Sequence, residues 1–125
     1  MHEVKVDPEK NRLYLMFAKI EGEAEMQAML DKIIEACGQL KSGFSCLTDL
    51  RKYDPVDGIF EDYIKKAQEA LIDAGMKRVV RIRRPMGSMA HYQFDNISYE
   101  LGYHAPNVTS VEEGEALLDS MEKQE

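Results

Sequence analysis

The chain alternates between two kinds of apolar spacing, and that alternation limits the folds open to it. Residues 3 to 7 and 11 to 20 read as strands, joined by the turn-rich Asp7-Pro8-Glu9-Lys10-Asn11, so they form a hairpin. Next, Met26, Met29, Leu30, Ile33, Cys37 and Leu40 recur at three and four, which is one face of an amphipathic helix. Residues 44 to 50 return to a strand pattern. Asp57 is placed to cap a helix beginning near Ile59, whose inward stripe is Phe60, Tyr63, Ile64, Ala67, Leu71 and Ala74, with Gly75 ending it. A basic strand follows over residues 77 to 84. Ser88 then caps a third helix running to about Leu101, with Phe94, Ile97 and Leu101 inward and Gly102 at its end. A short strand falls within 103 to 108. Ser110-Val111-Glu112-Glu113 is a capping box that opens a last helix, with Leu117, Leu118 and Met121 inward.

Strands separated by helices pair in parallel through right-handed crossovers. The expectation is a single α/β domain over residues 1–125, built on a mixed, mostly parallel sheet of four to five strands. Right-handed steps from each strand to its neighbour place the helices mainly on one face and leave the other open. Within the basic strand, Val80 and Ile82 are expected to face the helices, with Arg81 and Arg83 on the open side. The second strand is apolar on both alternations, so it is covered on both sides or carries an interface on one.

Composition narrows the partners. With 125 residues and 44% hydrophobic content there is enough for one core, and 23 acidic against 16 basic residues give a formal net charge of -7. That balance disfavours nucleic acid and anionic membrane surfaces. The charged start of the sequence lacks the apolar stretch of a signal peptide, and no apolar run is long enough to span a bilayer. A cytoplasmic protein is expected, with Cys37 and Cys46 as reduced thiols and the sequons at Asn96 and Asn107 as chance matches.

Against this acidic background, Lys77-Arg78-Val79-Val80-Arg81-Ile82-Arg83-Arg84 sets five cations in eight positions. One reading is an anion site: Arg81, Arg83 and Arg84 beside Gly87 and Ser88 at a helix start, with His91 in reach. Another is neutralisation at home by acids such as Asp49 and glutamates on the helices. A third is an interface on the open sheet face, where Tyr14, Met16 and Ala18, or alternatively Leu13, Leu15 and Phe17, lie beside Arg81 and Arg83. Protein interfaces enrich arginine, methionine and aromatic residues, and the same surface suits a lipid with an acidic head group. His2, His91 and His104 have no metal-ligand spacing, so no metal and no cofactor is implied. Tyr92, Tyr99 and Tyr103 read as core or rim packing around the third helix. The adjacent Glu61 and Asp62 point different ways on a helix, and Ser45 and Cys46 have no evident base. No catalytic motif occurs, so no catalytic residue is assigned.

The order of elements resembles one family. With Asn11-Arg12-Leu13-Tyr14-Leu15-Met16-Phe17-Ala18-Lys19-Ile20, then the stretch from Gly43 through Thr48-Asp49-Leu50-Arg51-Lys52-Tyr53-Asp54-Pro55, then the basic strand, the chain is similar to the SpoIIAA-like proteins of the STAS superfamily. Relatives there include bacterial anti-sigma-factor antagonists and the cytoplasmic domains of sulfate transporters. The resemblance covers roughly Leu13 to Met121. It implies a small α/β regulatory domain that binds a partner protein or a second copy of itself. The alternative it carries is a small anionic ligand or lipid near Arg81, Arg83 and Arg84. The antagonists carry a phosphorylated serine at the start of the second helix. Here no serine or threonine lies between Arg51 and Ser88, and the loosely corresponding position is Asp57.

Overall fold

The computed structural model describes residues 2–19, 22–53, 61–86 and 89–124, with the side chains of 89–91 outside that description. Nine elements follow in order: β1 (Glu3–Asp7), β2 (Arg12–Met16), α1 (Glu23–Cys37), β3 (Ser45–Asp49), α2 (Glu61–Asp73), β4 (Arg78–Ile82), α3 (Met89–Leu101), β5 (Asn107–Val108) and α4 (Val111–Lys123). The strands form one sheet in the order β1-β2-β3-β4-β5, with β1 antiparallel to β2 and every other pair parallel. The fold is therefore α/β on a five-stranded mixed sheet.

Local chemistry explains where elements begin and end. The hairpin turn closes because Asp7 Oδ1 accepts from the backbone N–H of Glu9 and Lys10 at 3.1 and 3.2 Å. Asn11 takes the left-handed conformation at φ 51°, and its side chain exchanges hydrogen bonds with the Lys41 backbone. Gly75, at φ 101°, ends α2 and passes against Ser42 so closely that no Cβ fits there. Ser110 caps α4 by accepting from Glu113 N–H at 3.2 Å. The Glu113 carboxylate departs from the expected box. It accepts from the hydroxyls of Thr109 and Ser110 rather than from the cap's backbone.

Two cores form, one on each face of the sheet. Leu13, Leu15, Cys46 and Val79 pack with Met26, Met29 and Ile33 of α1, Ile64, Ala67 and Leu71 of α2, and Phe94 and Ile97 of α3. On the other face, Leu47, Val80 and Ile82 pack against Leu118, with Leu117 and Met121 beside it. The helix α4 has crossed over. Gly114 allows this close seat, because a side chain there would run into Leu47.

That placement corrects two expectations. The face opposite α1–α3 is not simply open, since α4 covers part of it. The basic strand is also turned the other way: Val80 and Ile82 face α4, whereas Arg81 aligns with Thr48 and Leu15 and faces the layer of α1–α3.

Candidate interaction face

Arg81 is 2% exposed. Its Nη1 donates to Asp95 Oδ1 at 3.1 Å, and its Nη2 donates to Ser98 Oγ at 2.7 Å and Tyr103 Oη at 3.0 Å. The guanidinium also lies over the rings of Phe94 and Tyr103, at 5.4 and 5.8 Å from their centroids. Gln68 of α2 extends the network by bonding to Ser98 and Tyr103, and Asn107 of β5 reaches the second oxygen of Asp95. Arg81 thus binds β4 to α2, α3 and β5. This removes it from both the expected anion set and the expected interface, because its cation is enclosed and matched at home. The matching acid is Asp95, not Asp49.

A second buried arginine, which carries no motif, does the corresponding work on the other face. Arg12, at 1% exposure, opens β2 and meets three carboxylates of α4: Glu115 at 2.6 Å, Asp119 at 2.9 Å and Glu122. Burial works against its charge, but these three bonds outweigh it and raise the guanidinium above its ordinary value. Residues 115, 119 and 122 follow the spacing of one helix face, beside the apolar stripe of Leu118 and Met121. That acidic stripe was the signal available in the sequence. Arg78 joins the cluster through Ser45, donating from Nε to Ser45 Oγ at 3.0 Å.

Because α4 leans over β3, β4 and β5, the same sheet face stays uncovered near β1 and the end of β2. There Tyr14, Met16, Leu47 and Ile82 floor a groove of about 180 Å³, with Val111 on one wall and Glu3, Lys5 and Asp49 around its rim. Of the residues expected at an interface, Tyr14 and Met16 are therefore brought together, and Arg81 and Arg83 are not among the lining. Tyr14 Oη donates to Glu115 Oε1 at 2.8 Å, and burial with this bond pushes its phenol up to about 12. Asp49 holds Arg51 through both oxygens, at 3.0 and 2.8 Å. Burial opposes its charge, yet the side-chain and backbone bonds from Arg51 leave the carboxyl below its usual value.

At the same end of the sheet, Arg84 Nε donates to the Arg51 carbonyl at 2.9 Å and joins the loops after β3 and β4. Arg83 Nη1 donates to the carbonyls of Arg84 and Pro85 at 3.0 and 3.1 Å. Gly87, Ser88 and Asp57 lie outside the described residues, as does the side chain of His91. Cys46 is buried on the α1–α3 side and its thiol is pushed up to about 12 by burial, so it stays protonated and unreactive at neutral pH. Tyr103 is packed as expected, whereas Tyr92 and Tyr99 stand out into solvent. Among the described residues no helix is long and apolar enough to cross a membrane. No protein-family model matches the chain, and no curated protein sequence matches it either.

Proposed function

We propose that the chain is a binding domain of the anti-sigma-factor-antagonist kind, which docks a partner protein and performs no chemistry of its own. The observation that carries this reading is the half-covered sheet face: the half-buried Tyr14 and Met16, backed by the buried Leu47 and Ile82, form an apolar floor beside a charged rim of Glu3, Lys5 and Asp49. An apolar centre within a polar rim is the anatomy of a protein interface. The element order supports kinship with STAS domains, whose members work largely by binding other proteins. The occupant that fits is a protein segment presenting one apolar side chain to the floor, flanked by an acidic group for Lys5 and a basic group for Glu3. The anionic-ligand alternative has less support, because its central residue Arg81 is enclosed.

Crosslinking in the host cell tests the reading, with wild type compared against Met16→Asp. A charge on the groove floor is expected to remove crosslinks between Lys5 on the groove rim and a second protein while leaving the fold intact by circular dichroism. Identical crosslinks in both proteins would overturn the reading. So would an absence of crosslinks together with phosphate-dependent thermal stabilisation abolished by Arg84→Glu, which would assign the function to the anion site.

A further inference from the structure

The sheet has two edges, and they differ. At one end β5 is only two residues long. At the other, β1 presents five residues whose outer side meets no neighbouring strand among the described residues. The hydrogen-bond phase of the sheet says which groups lie on that side. Asn11 O accepts from Ser45 N at 3.2 Å and Phe17 N donates to Asp49 O at 3.1 Å, so the odd-numbered residues of β2 turn their peptide groups towards β3. Arg12, Tyr14 and Met16 therefore turn theirs towards Asp7, Lys5 and Glu3 of β1. The peptide groups of Val4 and Val6 are left pointing outward. Their side chains pack on the α1 side, while Glu3 and Lys5 stand exposed on the groove side.

We propose that this edge pairs antiparallel with the same edge of a second copy, about a two-fold axis at Val4, so that the two sheets become one. Charge selects the register. The faces of the joined sheet match only when odd residues oppose odd and even oppose even. With Val4 opposite Val4, Lys5 of each copy lies opposite Glu3 of the other, and Val6 lies opposite His2. Every neighbouring register is worse. Val4 opposite Val6 sets Lys5 against Lys5 and Glu3 against Asp7. Val6 opposite Val6 pairs Lys5 with Asp7, but it sets Glu3 against Glu9 and places Pro8, which has no N–H, across from Val4. Val4 opposite His2 sets Glu3 against Glu3. Opposite charges facing across an antiparallel pair stabilise it, and like charges destabilise it. The joined arrangement leaves both grooves on the same side of the continuous sheet, with Glu3 and Lys5 of both copies between them.

This deepens the binding reading by naming a second copy as the partner at the β1 edge, and it does not require the groove to be filled. Sedimentation of four proteins tests it. Wild type is expected to be a dimer, and Glu3→Lys or Lys5→Glu alone should each weaken association about tenfold or more, since each places like charges across the axis twice. An equimolar mixture of the two single variants should recover the dimer, because one chain then carries lysine at both positions and meets glutamate at both positions of the other. The double exchange Glu3→Lys with Lys5→Glu should associate like wild type. A wild type that is monomeric at about 1 mM overturns the proposal. A dimer indifferent to either single reversal, or a mixture that fails to associate, overturns it as well. None of these outcomes depends on Met16, so failure here and failure of the groove reading are separately visible.

Discussion

Each face of the sheet is fastened through one buried arginine, but the two are surrounded differently. Arg81 sits among one carboxylate, two hydroxyls and two aromatic rings, and the layer of α1–α3 closes over it. Arg12 meets three carboxylates on one helix, and those partners range from 25% to 54% exposed. The first arrangement encloses the cation among hydroxyls and rings and leaves one carboxylate, Asp95, 35% exposed. The second is a clamp with its outer jaw in water. A buried cation is costly unless paired and hydrogen-bonded, so both arginines fix their surroundings. Room opens beside both: the groove lies beside the clamp, and a second hollow lined by Asp95, Ser98 and Tyr103 lies beside the Arg81 network.

The largest expected effect of breaking this comparison is on the closed side. Arg81→Ala leaves Asp95, Ser98 and Tyr103 without their shared partner and opens a void over Phe94. A loss of about 3 to 5 kcal/mol in denaturant-measured stability is expected. A loss below about 1 kcal/mol would show that the network is replaceable by water. Arg12→Ala is expected to cost less, about 2 kcal/mol, because its carboxylates keep part of their hydration. Its signature is local: hydrogen exchange in α4 should accelerate ahead of exchange in α3. Uniform acceleration would mean that Leu118, rather than Arg12, holds α4 in place.

The smallest effect comes from acid. The hydrogen bond from Arg12 holds the Asp119 carboxyl below its ordinary 3.8. A depressed carboxylate contributes stability that is complete above its unfolded value and is lost as pH falls through the folded one. The Leu118 and Val80 methyl resonances are therefore expected to broaden below about pH 4, before Ile97 in the other core responds. Simultaneous changes in all three would remove the distinction between core and clamp.

Much of the layout was legible from local patterns. The stripe Met26, Met29, Leu30 and Ile33 is the buried face of α1, and Ile64, Ala67 and Leu71 are that of α2. Gly75 and Ser110 end and begin helices where their chemistry requires. The hairpin and the parallel pairing of the later strands followed from turn residues and from the helices between strands, whereas the register came from the structure. The candidate site was half legible. Tyr14 and Met16 reach the groove, but the arginine expected beside them faces away.

What the sequence determined by itself was the set of elements and which residues of each share a face, because helix and strand periods are properties of a few neighbouring residues. It left undecided which face each set meets. In β4 both alternations are apolar, Val79 on one side and Val80 with Ile82 on the other, so period two could not orient Arg81. The partners that settle the matter lie far along the chain: Arg12 meets Glu115 and Glu122 across 103 and 110 positions. Only the tertiary structure brings such groups together. A buried cation must stand where its counter-charges are, and long-range packing, here α4 crossing to the second face, decides where that is.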